Sequence, residues 1–109
     1  MISVFCSCPD METANTLAEQ LVGNHLAACV SVVPAVTSFY HWEGRLQKDS
    51  EVLLIIKCAE HSWQELHDYL LREHPYDNPE LIALPVSQGS NRYLEWVIDE
   101  CAPPQDNRH

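Results

Sequence analysis

Basic residues are scarce in this chain: six Lys and Arg stand against 16 Asp and Glu, for a formal net charge of -10. Nucleic acid and anionic membranes are bound through clustered cations, so neither partner is expected. Glycine is scarcer still, with three in 109 residues. A Gly-rich, phosphate-cradling loop has no place to form, and no H-E-x-x-H run is present. Long hydrophobic runs are missing too; none approaches the ~20 apolar residues of a membrane-spanning helix. The opening Met1-Ile2-Ser3-Val4-Phe5 has no basic n-region, and a cytoplasmic protein is expected. The five cysteines are an odd number. In a reducing compartment they read as thiols or metal ligands rather than a disulfide framework. Cys and His are both present, yet no local signature of a Cys–His hydrolase is visible, so no enzyme activity is expected.

What is present is organised around Ala28 to Cys58. Two apolar runs flank a polar link there. Cys29 to Trp42 is rich in Val and aromatics, and Glu51 to Lys57 encloses Val-Leu-Leu-Ile-Ile. β-Branched and aromatic residues suit a pleated surface. The link Glu43 to Asp49 supplies a glycine and charges for a solvated turn. A long antiparallel hairpin is expected, bent or edged at Pro34, which has no ladder N–H. A chain of this size cannot cover such a hairpin, so its far end is expected to bury itself against another subunit.

The remainder reads as follows. Ile2 to Cys8 is a strand stopped by Pro9. Asp10 caps a helix whose stripe is Ala14, Ala18, Leu17, Leu21 and Val22, ended by Gly23-Asn24. Ser62 and Glu65 have the spacing of a capping box for a second helix. Its inner face is Trp63, Leu66, Tyr69 and Leu70 with Leu71 at the margin, and Pro75 stops it. Leu81 to Val86 is a short strand. Asn91 caps a last helix with Tyr93, Leu94, Trp96, Val97 and Ile98 inward. One α+β domain over residues 1–102 is expected, with a loose tail over 103–109. The order βαββαβ plus a terminal helix predicts a ferredoxin-like antiparallel sheet with two helices on one face. The bare apolar face is expected to meet another subunit.

Several motifs then stand in register: Leu26-Ala27-Ala28-Cys29-Val30, Ser38-Phe39-Tyr40-His41-Trp42-Glu43-Gly44, Glu51-Val52, Lys57, His74-Pro75-Tyr76 with Pro79-Glu80, Pro85, Gly89 and Tyr93-Leu94-x-Trp96. Together, from Val4 to about Trp96, they resemble the CutA divalent-cation tolerance proteins. The resemblance implies a PII-like homotrimer locked by its hairpins, a cytoplasmic location, and binding of copper(II) and other divalent cations in a tolerance response.

The candidate ligands follow. Cys6 and Cys8 are two apart on one strand and share a face. They read either as a soft thiolate site or as small buried hydrophobes, and spacing alone favours the second. His74, before Pro75, can ligate a metal with Glu73 adding an oxygen, or can stabilise the helix C-terminus. The resemblance assigns copper to Cys6 and His74 and gives Cys8 no role. It also shows a departure: Glu73 stands where the resembled proteins carry the first of two histidines. His67 and His74 are about two helical turns apart and are expected to share a face. Cys29 reads as core. Lys57, Glu51, Tyr40, Trp42 and Tyr76 could line an intersubunit cleft for a small effector, the alternative function; Glu51 and Lys57 read equally as a paired charge network that fixes the trimer.

Overall fold

Alternation along Ile2–Cys8 sets the architecture. Ile2, Val4, Cys6 and Cys8 are buried, whereas Ser3 and Phe5 are only half-buried. This strand, β1, lies inside a four-stranded sheet. A computed structural model describes residues 1–103. The elements run β1, α1 (Met11–Gly23), β2 (Cys29–Trp42), β3 (Arg45–Cys58), a 3-10 turn at Glu60–Ser62, α2 (Trp63–Glu73), β4 (Leu81–Pro85) and α3 (Asn91–Glu100). The sheet order is β2-β3-β1-β4, with all neighbours antiparallel. This is the α+β, ferredoxin-like order expected from the sequence. The tail expected over 103–109 lies outside the described residues from position 104 on.

Register explains the core. Val4 pairs with Ile56, Cys6 with Leu54 and Cys8 with Val52. Both members of each pair point to the same face, and all six are buried. Ala14, Leu17 and Leu21 of α1 and Leu66 and Leu70 of α2 close over them. On the other face Phe5 pairs with Ile55 and with Ile82. That face stays apolar and partly exposed, with Ile82 at 50% and Leu84 at 43%.

The hairpin is longer than its polarity suggested. The turn is only Glu43-Gly44, with φ of 50° and 77°. Positive φ at both central residues is the two-residue hairpin turn that matches strand twist. The ladder therefore closes at once, with Trp42 opposite Arg45 and Tyr40 opposite Gln47. The expected seven-residue link is corrected: Arg45 to Asp49 are strand. Their polarity reflects a part of the strand that lies off the core, not a loop. Pro34 does interrupt the first arm. The register shifts between Val33 and Val36, and Ala35 takes φ of 59°. Beyond this bulge Phe39, Trp42 and Leu46 are exposed, and the long axis reaches 48 Å.

Two caps also differ from expectation. Asp10 accepts the Thr13 N–H at 2.8 Å as predicted. Ser62, however, is already in right-handed helical conformation, because the 3-10 turn precedes α2, and its side chain makes no cap bond. Ser90, not Asn91, is the extended residue that opens α3, again without a side-chain bond. Helix α3 docks mainly through buried Val97 and half-buried Leu94, so Tyr93, Trp96 and Ile98 remain exposed, as do Val22 and Leu71. Its end is tied down by backbone: the Ala102 N–H donates to the His25 carbonyl at 2.8 Å.

Leu70 is fully buried and Leu71 is 47% exposed. Urea unfolding is expected to show Leu70→Ala losing about 2–5 kcal/mol, while Leu71→Ala stays within about 0.5 kcal/mol. Equal losses would contradict this packing.

Candidate metal centre

Strand β1 presents Cys6 and Cys8 to the helix-covered face because side chains two apart on a strand point the same way. Both are fully buried. The third group comes from the far end of α2. His74 is the C-cap, with φ of -72° and ψ of 138°. Its N–H still bonds the Leu70 carbonyl at 2.9 Å, and Pro75 keeps it extended. The chain turns inward there, and the imidazole is 7% exposed. The two sulfurs and one imidazole nitrogen lie within 4.8 Å of one another.

The ring is held at both nitrogens. Nε2 is 2.7 Å from the Ser7 carbonyl oxygen, and Nδ1 accepts the Tyr76 N–H at 3.1 Å. A carbonyl only accepts and a peptide N–H only donates, so the arrangement assigns the neutral ring with its proton on Nε2. Ser7 needs this donor. Strand β4 pairs with β1 only as far as Cys6 opposite Leu81, so Ser7 lies one residue past the last partner. Tyr76 continues the chain of contacts: its hydroxyl donates to Glu51 at 3.0 Å, and its ring centroid is 4.9 Å from that of His74.

The thiols differ from one another. The Cys6 thiol is raised above the ordinary range, first by its hydrogen bond with Cys8 and then by burial. Cys8 is lowered by that same bond, since its thiolate is the form that accepts it. Cys58, elsewhere in the core, is pushed up to about 12, first by burial and then by nearby Cys101.

Of the residues singled out from the sequence, Cys6 and His74 thus come together. Glu73 does not join them. It is exposed, 3.3 Å from the Arg72 guanidinium, and it lines a groove with Glu12, Thr16 and Tyr69. His67 bonds Asp68 at 2.9 Å on the surface of α2. It is not among the groups that converge with His74. Cys8 is the group that sequence reasoning set aside. The C-x-C spacing was its signal, but the partner lies on a distant element. Glu51 and Lys57 are not bonded to each other; Lys57 donates to the Ser31 hydroxyl at 2.9 Å.

The CutA1 divalent ion tolerance protein family matches residues 2–100. The chain belongs to the CutA1 family. A divalent-cation tolerance protein CutA from Yersinia pestis (strain Pestoides F) is 45% identical over 96 residues, covering 88% of this chain and 81% of that one. The solved Cut A1 of Thermus thermophilus superimposes with a TM-score of 0.89 at 39% identity, covering 94% and 100% of the two chains. A CutA from Archaeoglobus fulgidus, described as periplasmic, gives 0.87 at 30% identity over 92% and 98%. CutA1 proteins are named for tolerance of divalent ions rather than for a reaction. The fold expected from the motifs is therefore that of the family.

Two outcomes test the packing of His74 and of the core thiol Cys58 without metal. His74→Ala leaves the Ser7 carbonyl without its donor and is expected to cost about 1–3 kcal/mol in denaturant titration. An unchanged midpoint would mean the ring carries no structural weight. Cys58 gives a pH signature. A thiol whose folded pKa is raised stabilises the fold below its unfolded value, about 8.5, and loses that contribution as pH rises towards about 12. Alkylation at pH 9 is therefore expected to modify half-buried Cys29 well before Cys58; prompt Cys58 modification in the folded protein would contradict its burial.

Proposed function

We propose that this CutA1 protein binds divalent cations, copper(II) among them, through Cys6 and His74 and acts in the tolerance response to them. The observation that carries this reading is the convergence of a β1 thiol and the imidazole at the end of α2 in one buried cluster. Sulfur and imidazole are donors that borderline and soft cations prefer to water. To ligate through Nδ1, His74 gives up the hydrogen bond from the Tyr76 N–H and keeps the one to Ser7, so loading is felt at Tyr76. Glu73 is the reserve oxygen donor beside His74, available on leaving Arg72.

The working form is a cytoplasmic homotrimer in this proposal. Two features support self-assembly. One is the apolar sheet face around Phe5, Ile55 and Ile82. The other is the distal hairpin with exposed Phe39, Trp42 and Leu46. A second reading, a trimeric sensor of a small effector, draws on Tyr76, Glu51, Tyr40 and Asp49. Tyr76 bonds Glu51, Tyr40 bonds Asp49, and Tyr40, Glu51 and Asp49 lie near enough to hold the Tyr76 phenol above its ordinary range, after burial.

Calorimetric titration of the reduced, metal-free chain with copper(II) is expected to saturate, and to lose that saturation in Cys6→Ala and in His74→Ala that remain folded by circular dichroism. Heat that is absent, or unchanged in both variants, would remove the cation reading and leave the effector reading. Assembly has its own test. Trp42→Ala is expected to lower the mass measured by light scattering from that of a trimer; a trimer of unchanged mass and thermal stability would deny Trp42 an interface role.

A further inference from the structure

Cys8 is a fully buried donor that binding through Cys6 and His74 leaves unused. Resting on that cation-binding reading, we infer that Cys8 is a third ligand of the same site and that its cargo is a thiophilic divalent cation of the zinc and cadmium kind, held by two thiolates and one imidazole.

The alternative use of two neighbouring thiols is a disulfide, and the strand opposes it. Residues two apart on a strand are separated by ~6.6 Å, whereas a disulfide needs its Cβ atoms ~3.5–4.5 Å apart. Strand β1 is paired on both sides at Cys6, so the backbone has little freedom to close that gap. A single ion spans the pair more easily. With metal–sulfur bonds of ~2.3 Å, one ion reaches sulfurs up to ~4.6 Å apart, close to the 4.8 Å within which these sulfurs and the His74 nitrogen lie.

Charge selects the valence. Two thiolates and a neutral imidazole cancel the charge of a divalent ion, and a buried site tolerates net charge poorly. A monovalent ion would leave one negative charge uncompensated. Donor type selects the element. Hard cations take six or more oxygens, and no carboxylate belongs to this cluster. Loading brings one ion in and leaves both sulfurs as thiolates, each thiol that still holds a proton releasing it. The ring gives none: ligation through Nδ1 uses the lone pair that accepts the Tyr76 N–H, while Nε2 keeps its proton on the Ser7 carbonyl.

Cadmium is the probe, because it is redox-inert towards thiols and reports each thiolate bond by ultraviolet charge-transfer absorption. The reduced, metal-free full chain is titrated with cadmium chloride in a pH-stat. One ion per chain and the absorption of two thiolate bonds are expected, undisturbed by excess manganese(II). In Cys8→Ala and Cys8→Ser the absorption per ion is expected to halve. The affinity should fall by more than ~100-fold, beyond the loss of an outer-shell partner. One thiolate bond in the native chain, or undiminished affinity in both variants, would overturn the role of Cys8 and leave binding through Cys6 and His74 intact. A native chain that takes up neither cadmium nor copper(II) would overturn both.

Discussion

The pairing of β1 with a strand on each side is the constraint from which the rest follows. A strand buried inside a sheet cannot slip by one residue without turning its whole apolar set to the wrong face. The register of Val4 with Ile56 and Cys6 with Leu54 therefore fixes which side chains meet α1 and α2. It also fixes where both thiols point. The site is thus not an addition to the core. It is the end of the core's own alternation, at the place where β4 stops and an imidazole takes over the next carbonyl.

His74 gives that end its dual character. As it stands, the residue is a strut between β1 and the turn after α2, with a donor and an acceptor both engaged. A ligand role demands the release of one engagement. Structure and any ligand role would therefore compete for the same lone pair, and a metal–nitrogen bond there would have to outweigh the hydrogen bond it replaces. Tyr76 extends this competition to the hairpin, because its amide and its hydroxyl bond His74 and Glu51 respectively.

Much of the fold was legible because local signals agreed with the global answer. Pro9, Asp10, Gly23 and Pro75 punctuate the chain where the elements change, and the apolar run Val52 to Ile56 between polar ends announces a strand. The errors have physical causes. Arg45 to Asp49 looked like loop because polar residues also occupy strands that leave the core. Ser62 failed as a cap because a 3-10 turn had already placed it in helical conformation. Asn91 lost the N-cap position to Ser90, one residue earlier, a shift that propensity alone does not resolve. The candidate site was half legible. Cys6 and His74 stood out through motif resemblance, but no periodicity relates β1 to the end of α2. The part of Cys8 depends on tertiary geometry that the sequence does not express.

The bulge at Pro34-Ala35 divides the hairpin into two stretches of unlike permanence. Below it, the ladder of β2 and β3 is backed by α1, and opening it means exposing the core. Above it, each amide is held by one neighbouring strand and little apolar cover. The distal ribbon can therefore open from the Glu43-Gly44 tip down to the bulge as a local unit while the body stays folded. In hydrogen-exchange terms, an isolated chain carries a fast-exchanging arm on a slow-exchanging base, with the boundary between Val33 and Val36.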